Sequence, residues 1–413
     1  MASGCHSERS VKRSPRVAVV SPRSPVPVYT GLLERTYQTC RYLGERYSVR
    51  VFYPYEKRRA ASEEGRVPDS QSFEVTGLRS RAVDVLEGLI PDYSALKGAY
   101  HLHPWLYGPL RSRLRAFDPD AVVVEFPYLV PLVRACTRGL DCRLVLSEHN
   151  VEFTFARRLD MPLWRALRRF ETVACNLTDA VVTVSEADRD TLAPHLDDDV
   201  GLRVAPNGVD VDRYTPARAA DAASVRERYG LTQPVLVFHG NLGNAQNAEV
   251  VEFLLSEVFP AVRREFDGAS LLLVGAGPPE STPEGVVTTG VIDDLPGHVA
   301  AADVAVAPML SGSGTNLKIL EYLASGRPVV TTPVGAEGLS LTDGRDAVVT
   351  DPADVAAATV RVLRDDDLAD RLSENGRERA VADFSWDSTL AAYADLVGRP
   401  AATSKETVGS VTD

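Results

Sequence analysis

The richest chemistry in this 413-residue chain lies in the run Ser311-Gly312-Ser313-Gly314-Thr315, continued by Asn316, Lys318 and Glu321. Small residues let backbone N–H groups close on a diphosphate, and a helix N-terminus favours negative charge. The run follows a predicted strand and opens a predicted helix carrying Leu317, Leu320 and Leu323. Lys318 falls in the first turn, where an ammonium reaches a phosphate as a point charge. It is one of only five lysines, against forty arginines; a solvated surface lysine is the plainer alternative. Glu321 stands one turn further along the same face and is at the least an i, i+3 partner for Lys318. His149 ends a predicted apolar strand between Glu148 and Asn150, where it faces a ligand or simply caps the strand end. Gly31, after the first predicted strand and the Pro25–Pro27 loop, opens a predicted helix over Leu32–Leu43, a second terminus suited to an anion. Arg35, one turn in, is a second cation or an ordinary surface arginine.

Other chemistries find no foothold. The seven histidines are scattered, and no Asp-x-Asp pair leads a strand as manganese-dependent group transfer requires. His101-x-His103 has no carboxylate close by, so no metal and no cofactor are expected. A Gly-x4-Gly-Lys-Ser/Thr phosphate loop and a Gly-x-Ser-x-Gly elbow are both missing. Cys5, Cys40, Cys136, Cys142 and Cys175 are odd in number and widely spaced, which predicts free thiols in a reducing compartment.

The elements that must position these residues repeat one pattern twice. Short β-branched runs alternate with helical stretches, as in a parallel sheet covered by helices. Strands are predicted at Arg16–Val20, Val49–Tyr53, Ala121–Glu125, Arg143–Ser147, Ala180–Val184 and Leu202–Ala205. A second series follows at Val235–His239, Ser270–Val274, Val304–Ala307, Pro328–Thr332 and Ala347–Thr350. A helix is predicted over Ala248–Phe266, where Val251, Leu254, Leu255, Val258 and Val262 form one apolar stripe. The fold class is therefore α/β, with two tandem Rossmann-like, doubly wound parallel-sheet domains facing a cleft. Predicted boundaries are a disordered lead over 1–15, a first domain over 16–205, a linker over 206–216, a second domain over 217–398 and a disordered tail over 399–413. The segment Glu56–His103 gives no readable pattern.

Charge divides along the same line. Residues 1–205 carry a net +3 and the remainder −15, together the −12 of the whole chain. The negative half disfavours nucleic acid and anionic lipid. The basic clusters Arg111/Arg113/Arg115 and Arg157/Arg158/Arg165/Arg168/Arg169 make the first half the one that would meet a membrane surface.

Five segments then succeed each other in a telling order: EHNVE (Glu148–Glu152), TVSEAD (Thr183–Asp188), APNGVD (Ala205–Asp210), LLLVGAGP (Leu271–Pro278) and GSGTNLKILEYLASGRPVVTTPVGAEGL (Gly312–Leu339). Together, over roughly residues 16–398, they resemble the retaining, nucleotide-sugar-dependent glycosyltransferases of family 4, with the GT-B fold. The resemblance implies a nucleotide-sugar donor and a glycan or lipid-linked acceptor. It also implies a cytoplasmic location, with peripheral contact to the cytoplasmic membrane face through the N-terminal domain. Glu321 would hydrogen-bond the ribose as the second acid of Glu-x7-Glu. Ser313 stands where the first glutamate reads the donor sugar. Asn241 and Asn247 replace an arginine and a lysine that grip the diphosphate in many relatives. In the Gly-Ser-Gly-Thr-x-Leu-Lys branch that this chain resembles, Lys318 supplies that charge, helped by the amides around Gly314–Asn316. An arginine is common there where Asn316 stands. Gly31 would face the donor phosphate from the other side, and His149 would donate a hydrogen bond beside the transferred sugar. His239 and Asn247 line the nucleotide pocket or satisfy loop backbone. Two other classes share the scaffold: a nucleotide-sugar epimerase, and a non-catalytic nucleotide-sugar-binding partner of an active enzyme. A phosphorylase would need a pyridoxal lysine, and Lys12, Lys57, Lys97 and Lys405 are not placed inside a C-domain core.

Overall fold

The computed structural model describes residues 14–26, 31–55, 73–79, 104–158, 160–311 and 315–398. They form two compact units. The first takes residues up to Thr183, Thr191–Arg203 and those from Ala392; the second takes Val184–Asp190 and Val204–Ala391. The stretch read as a linker, 206–216, is held within the second unit. Val209 donates its N–H to the Phe384 carbonyl at 2.7 Å, and Arg377 donates to the carbonyls of Val211 and Tyr214 at 2.9 and 2.7 Å.

The first unit is built on strands β1 (Arg16–Val20), β2 (Ser48–Tyr55), β3 (Phe73–Arg79), β4 (Ala121–Glu125), β5 (Arg143–Ser147), β6 (Ala180–Thr183) and β7 (Gly201–Val204). They make a seven-stranded sheet in the order β3-β2-β1-β4-β5-β6-β7. Its registered central pairs are parallel, Val17 facing Val49 on one side and Ala121 on the other. Such strands are covered on both faces, so valine and leucine fill nearly every position, and β4 is buried from end to end. The second unit repeats the plan with β8 (Val235–His239), β9 (Ser270–Val274), β10 (Val286–Thr288), β11 (Val304–Ala307), β12 (Val329–Thr331) and β13 (Val348–Val349). Their order is β10-β9-β8-β11-β12-β13. Strand order reverses between β1 and β4 and between β8 and β11, and ligands of open α/β sheets bind beyond the carboxyl ends of the strands at such points.

Two strands escaped the sequence reading, both at sheet edges. β3 lies in the unread segment and pairs with β2 alone; β10 is three residues long and pairs with β9 alone. An edge strand has one neighbour and less need for an apolar run, so its signal is weaker, although the edge strands β7 and β13 were read.

Five helices matter for the site: α1 (Gly31–Gly44), α2 (Trp164–Asn176), α3 (Ala245–Phe253), α4 (Leu317–Ala324) and α5 (Ala391–Val397). The single helix predicted over 248–266 is three pieces: α3, a π-helical turn at Leu254–Val258, and a last segment, Phe259–Glu265. Pro260 explains the break. A proline inside an α-helix has no N–H to give and clashes with the carbonyl four residues back, and the widened turn absorbs both. The apolar stripe survives, with Leu254, Val258 and Val262 fully buried.

Candidate active site

In the second unit the carboxyl end of β8 meets the first turn of α4. Thr315 and Asn316 lead into the helix; Ser313 and Gly314, with Gly312, lie outside the described residues. The Asn316 side chain donates to the Gly335 carbonyl at 3.2 Å, and Thr315 Oγ1 is buried without a partner among the described residues. Lys318 is no solvated surface lysine. Its Nζ donates to Asn247 Oδ1 at 2.7 Å, lies 4.4 Å from the centre of the Phe238 ring, and approaches Met309 Sδ at 3.9 Å. Burial pulls its pKa down to about 8, and the charge of Glu321 opposes the fall. Asn247 is fixed in turn, its Nδ2 donating to the Asn241 carbonyl at 2.8 Å. It thus serves loop backbone and lysine together.

The approach is close because Gly240 has no side chain. At φ +145°, a Cβ there would stand 2.9 Å from Asn247 Nδ2 and 3.6 Å from Lys318 Nζ.

Glu321, whose charge acts on Lys318 as the spacing suggests, has its nearest contacts elsewhere. Its Oε1 accepts from the Tyr214 hydroxyl at 2.9 Å, and its Oε2 lies 3.0 Å from His239 Nε2. His239 is held by its own backbone N–H, which donates to the Tyr322 hydroxyl at 3.0 Å, and by an edge-on contact with that ring at 5.0 Å. A carboxylate, an imidazole and an ammonium are therefore lined up within one turn of helix and one strand end. Such a set can hold ribose hydroxyls and a diphosphate.

In the first unit, β4 and β5 end side by side, Glu125 opposite Ser147. His149, two residues beyond β5, is 9% exposed and directs Nε2 at the Glu125 carboxylate, with which it makes a short contact. Its ring stacks on Phe126, centroids 4.6 Å apart and planes 13° off parallel, and Phe126 stacks on Tyr128 at 5.1 Å. Gly31 opens α1 as expected. Arg35 does not reach the surface: it is 1% exposed, and its guanidinium donates to the Tyr393 hydroxyl at 3.4 Å. That hydroxyl also bonds Ser147 Oγ at 2.7 Å, which ties α5 to the end of β5. Spacing alone missed Glu125, Tyr214 and Tyr393. Only Glu125 left a trace, as a charge closing an otherwise apolar run.

Among the described residues, Cys40, Cys136, Cys142 and Cys175 are free thiols, and no group of three or more His, Cys, Asp or Glu is placed to hold a metal ion. No helix among them is long and apolar enough to cross a membrane.

Two Rossmann-like units, the second carrying an ammonium, a carboxylate and an imidazole at its switch point, define the architecture of the GT-B class. Residues 29–213 match the profile of Glycosyltransferase Family 4, and residues 233–365 that of Glycosyl transferases group 1. A GDP-mannose-dependent α-(1-6)-phosphatidylinositol monomannoside mannosyltransferase of Mycobacterium tuberculosis is 31% identical over 315 residues, 70% of this chain and 78% of that protein. A D-inositol 3-phosphate glycosyltransferase of Geodermatophilus obscurus is 35% identical over half of each chain. In fold, the chain is similar to a sucrose-phosphate synthase of Thermosynechococcus elongatus, with TM-score 0.71 at 18% identity over 92% of this chain and 98% of that one. It is likewise similar to WaaG, a glycosyltransferase involved in lipopolysaccharide biosynthesis, with TM-score 0.65 at 17% identity over 93% and 100%. The chain belongs to glycosyltransferase family 4. It is a glycosyltransferase.

Proposed function

We propose that this enzyme transfers mannose from GDP-mannose to a glycolipid acceptor, with retention of anomeric configuration. The observation that carries the donor half is the buried Lys318 ammonium, held by Asn247 at the first turn of α4. The sugar's C1–O bond to the diphosphate breaks and negative charge gathers on the leaving phosphate. Lys318 and the backbone amides leading into α4 stabilise that charge through preorganised electrostatics. The acceptor oxygen bonds C1 on the same face, and its proton leaves with the departing diphosphate. Glu321, oriented by Tyr214 and His239, holds the ribose. Mannose is supported by the relatives of GDP-mannose-dependent type, two of them 31% and 32% identical over 70% and 65% of this chain. Retention is supported by the family's motif series.

The acceptor half is supported by the start of α2 and the segment before it. Arg157, Arg165 and Arg168 stand 5.3 to 5.8 Å from the Trp164 ring, beside Leu163, which is 72% exposed. Arginines around an exposed apolar tip suit an anionic lipid surface.

The test is transfer by the purified protein from GDP-mannose, UDP-glucose and dTDP-glucose to mannosylated phosphatidylinositol, read by mass spectrometry with and without EDTA. Product from GDP-mannose that persists under chelation is expected. Lys318→Ala should cost roughly 2–4 kcal/mol of transition-state stabilisation, the scale for one preorganised donor. Transfer from UDP-glucose alone would refute the mannose assignment, and unchanged turnover in Lys318→Ala would refute the role of Lys318.

A further inference from the structure

The switch point of the first unit holds a carboxylate that the transfer chemistry leaves without a role. Glu125 is the last residue of β4, completely buried, and its Oε1 has no hydrogen-bond partner among the described residues. Burying a carboxylate costs several kcal/mol unless a partner compensates it. An apolar residue would complete the run Ala121–Val124 without that cost. The partner that Glu125 does have is the imidazole of His149.

A second cost converges on the same ring. Phe126 adopts φ +83° and ψ 141°, a region that bulky side chains avoid at a cost of roughly 1–3 kcal/mol. In that conformation its ring lies flat on His149. One neighbour therefore fixes the plane of the imidazole and the other fixes its rotation. The buried Arg35 guanidinium is the cation of this neighbourhood, and it is bonded to the Tyr393 hydroxyl at 3.4 Å. Burial, and after it the Glu125 charge, holds the Cys40 thiol well above its ordinary pKa; burial also raises that of Tyr393, against the pull of Arg35. Glu148 is turned elsewhere, accepting from Cys175 Sγ at 3.8 Å.

We propose that Glu125 is a positioning residue for His149: its carboxylate accepts the Nε2–H and so selects, in the neutral ring, the tautomer with Nδ1 bare, ready to accept a hydrogen bond from a sugar hydroxyl. A neutral imidazole has one N–H to give. With that proton committed to Glu125, His149 accepts from the sugar, the reverse of the donation that the family resemblance implies. The inference rests on the reading that His149 faces the sugar.

The experiment is a long-range proton–nitrogen correlation spectrum of histidine-labelled full-length protein above neutral pH, with the His149 signals assigned by their loss in His149→Asn. The expected wild-type ring carries its proton on Nε2. In Glu125→Gln, which keeps the shape but lets the side chain donate as well as accept, the ring should become a mixture of tautomers. The kcat should fall roughly ten- to a hundredfold, the scale for removing the partner that orients a functional imidazole. Affinity for GDP should be unchanged. A wild-type ring protonated on Nδ1, as the other tautomer or as imidazolium, would overturn the proposal even if the variant does not fold. So would a Glu125→Gln enzyme with wild-type tautomer and kcat. His149→Ala with full activity would instead sink the sugar-contact reading and leave the tautomer result standing.

Discussion

A buried lysine is a poor place to keep a charge, and Lys318 shows the strain of it. Its pKa of about 8 lies below the ordinary 10.5, so between those values the unfolded chain binds the proton that the folded chain has released. The free protein should therefore gain stability from this group as pH rises from about 8 to 10.5, and should carry its full cost below 8. Nucleotide binding has the opposite sign. A diphosphate favours the ammonium, so GDP affinity should be level below pH 8 and fall by up to about tenfold per unit above it, with a proton taken up on binding. Calorimetry in buffers of different ionisation enthalpy measures both. Lys318→Arg, charged throughout, should flatten the slope, whereas a wild-type affinity constant from pH 7 to about 9.5 would contradict the buried-ammonium account. Lys318 and Glu321 were legible in the sequence because they share a helix turn with a run of small residues. Glu125 and Tyr214 were not. Tyr214 lies 107 positions from the carboxylate it orients, and Glu125 meets His149 only when β4 and β5 pair.

At the scale of elements, legibility follows burial only in part, since the edge strands β7 and β13 were also read, at Leu202–Ala205 and Ala347–Thr350. β1, β4, β5, β8, β9 and β11 sit inside their sheets and read as valine and leucine runs with the observed bounds. β3 and β10, at the edges, did not read at all. The turn leaving β8 is the most demanding local structure near the site. Gly275, at φ +132°, would place a Cβ only 1.8 Å from the Gly240 carbonyl oxygen, so the ends of β8 and β9 touch backbone to backbone. Gly240→Ala should strain the turn by about 1–3 kcal/mol and push Asn247 off Lys318. We expect a lower Tm together with GDP binding weakened at least as much as in Asn247→Ala. A Gly240→Ala protein with normal Tm and normal GDP affinity would show that the close approach is dispensable.

For the molecule as a whole, the split of +3 against −15 in net charge gives its two halves different tastes. The two Glu171 oxygens accept from the backbone N–H groups of Glu152 and Phe153 at 2.8 and 2.9 Å, while Arg165 and Arg168 lie over Trp164. Each basic residue near an anionic surface contributes about 1 kcal/mol and loses it beyond a Debye length. Binding to anionic vesicles should therefore be weak, reversible and salt-sensitive. Replacing Arg165, Arg168 and Arg169 with glutamine should reduce co-sedimentation and leave GDP affinity intact. Failure of the wild-type protein to sediment at low salt would remove the membrane from the proposed function.

The placement of α5 also bears on how the chain is made. Tyr393 is fully buried in the first unit, bonded to Ser147 and Arg35, although the whole second unit lies between them in sequence. Domains of a nascent chain generally fold in order of synthesis. Here the unit that begins first cannot finish first: it must wait on the ribosome, with the Ser147 and Arg35 side chains uncovered, until the second has been translated and Tyr393 emerges. The second unit suffers no such delay.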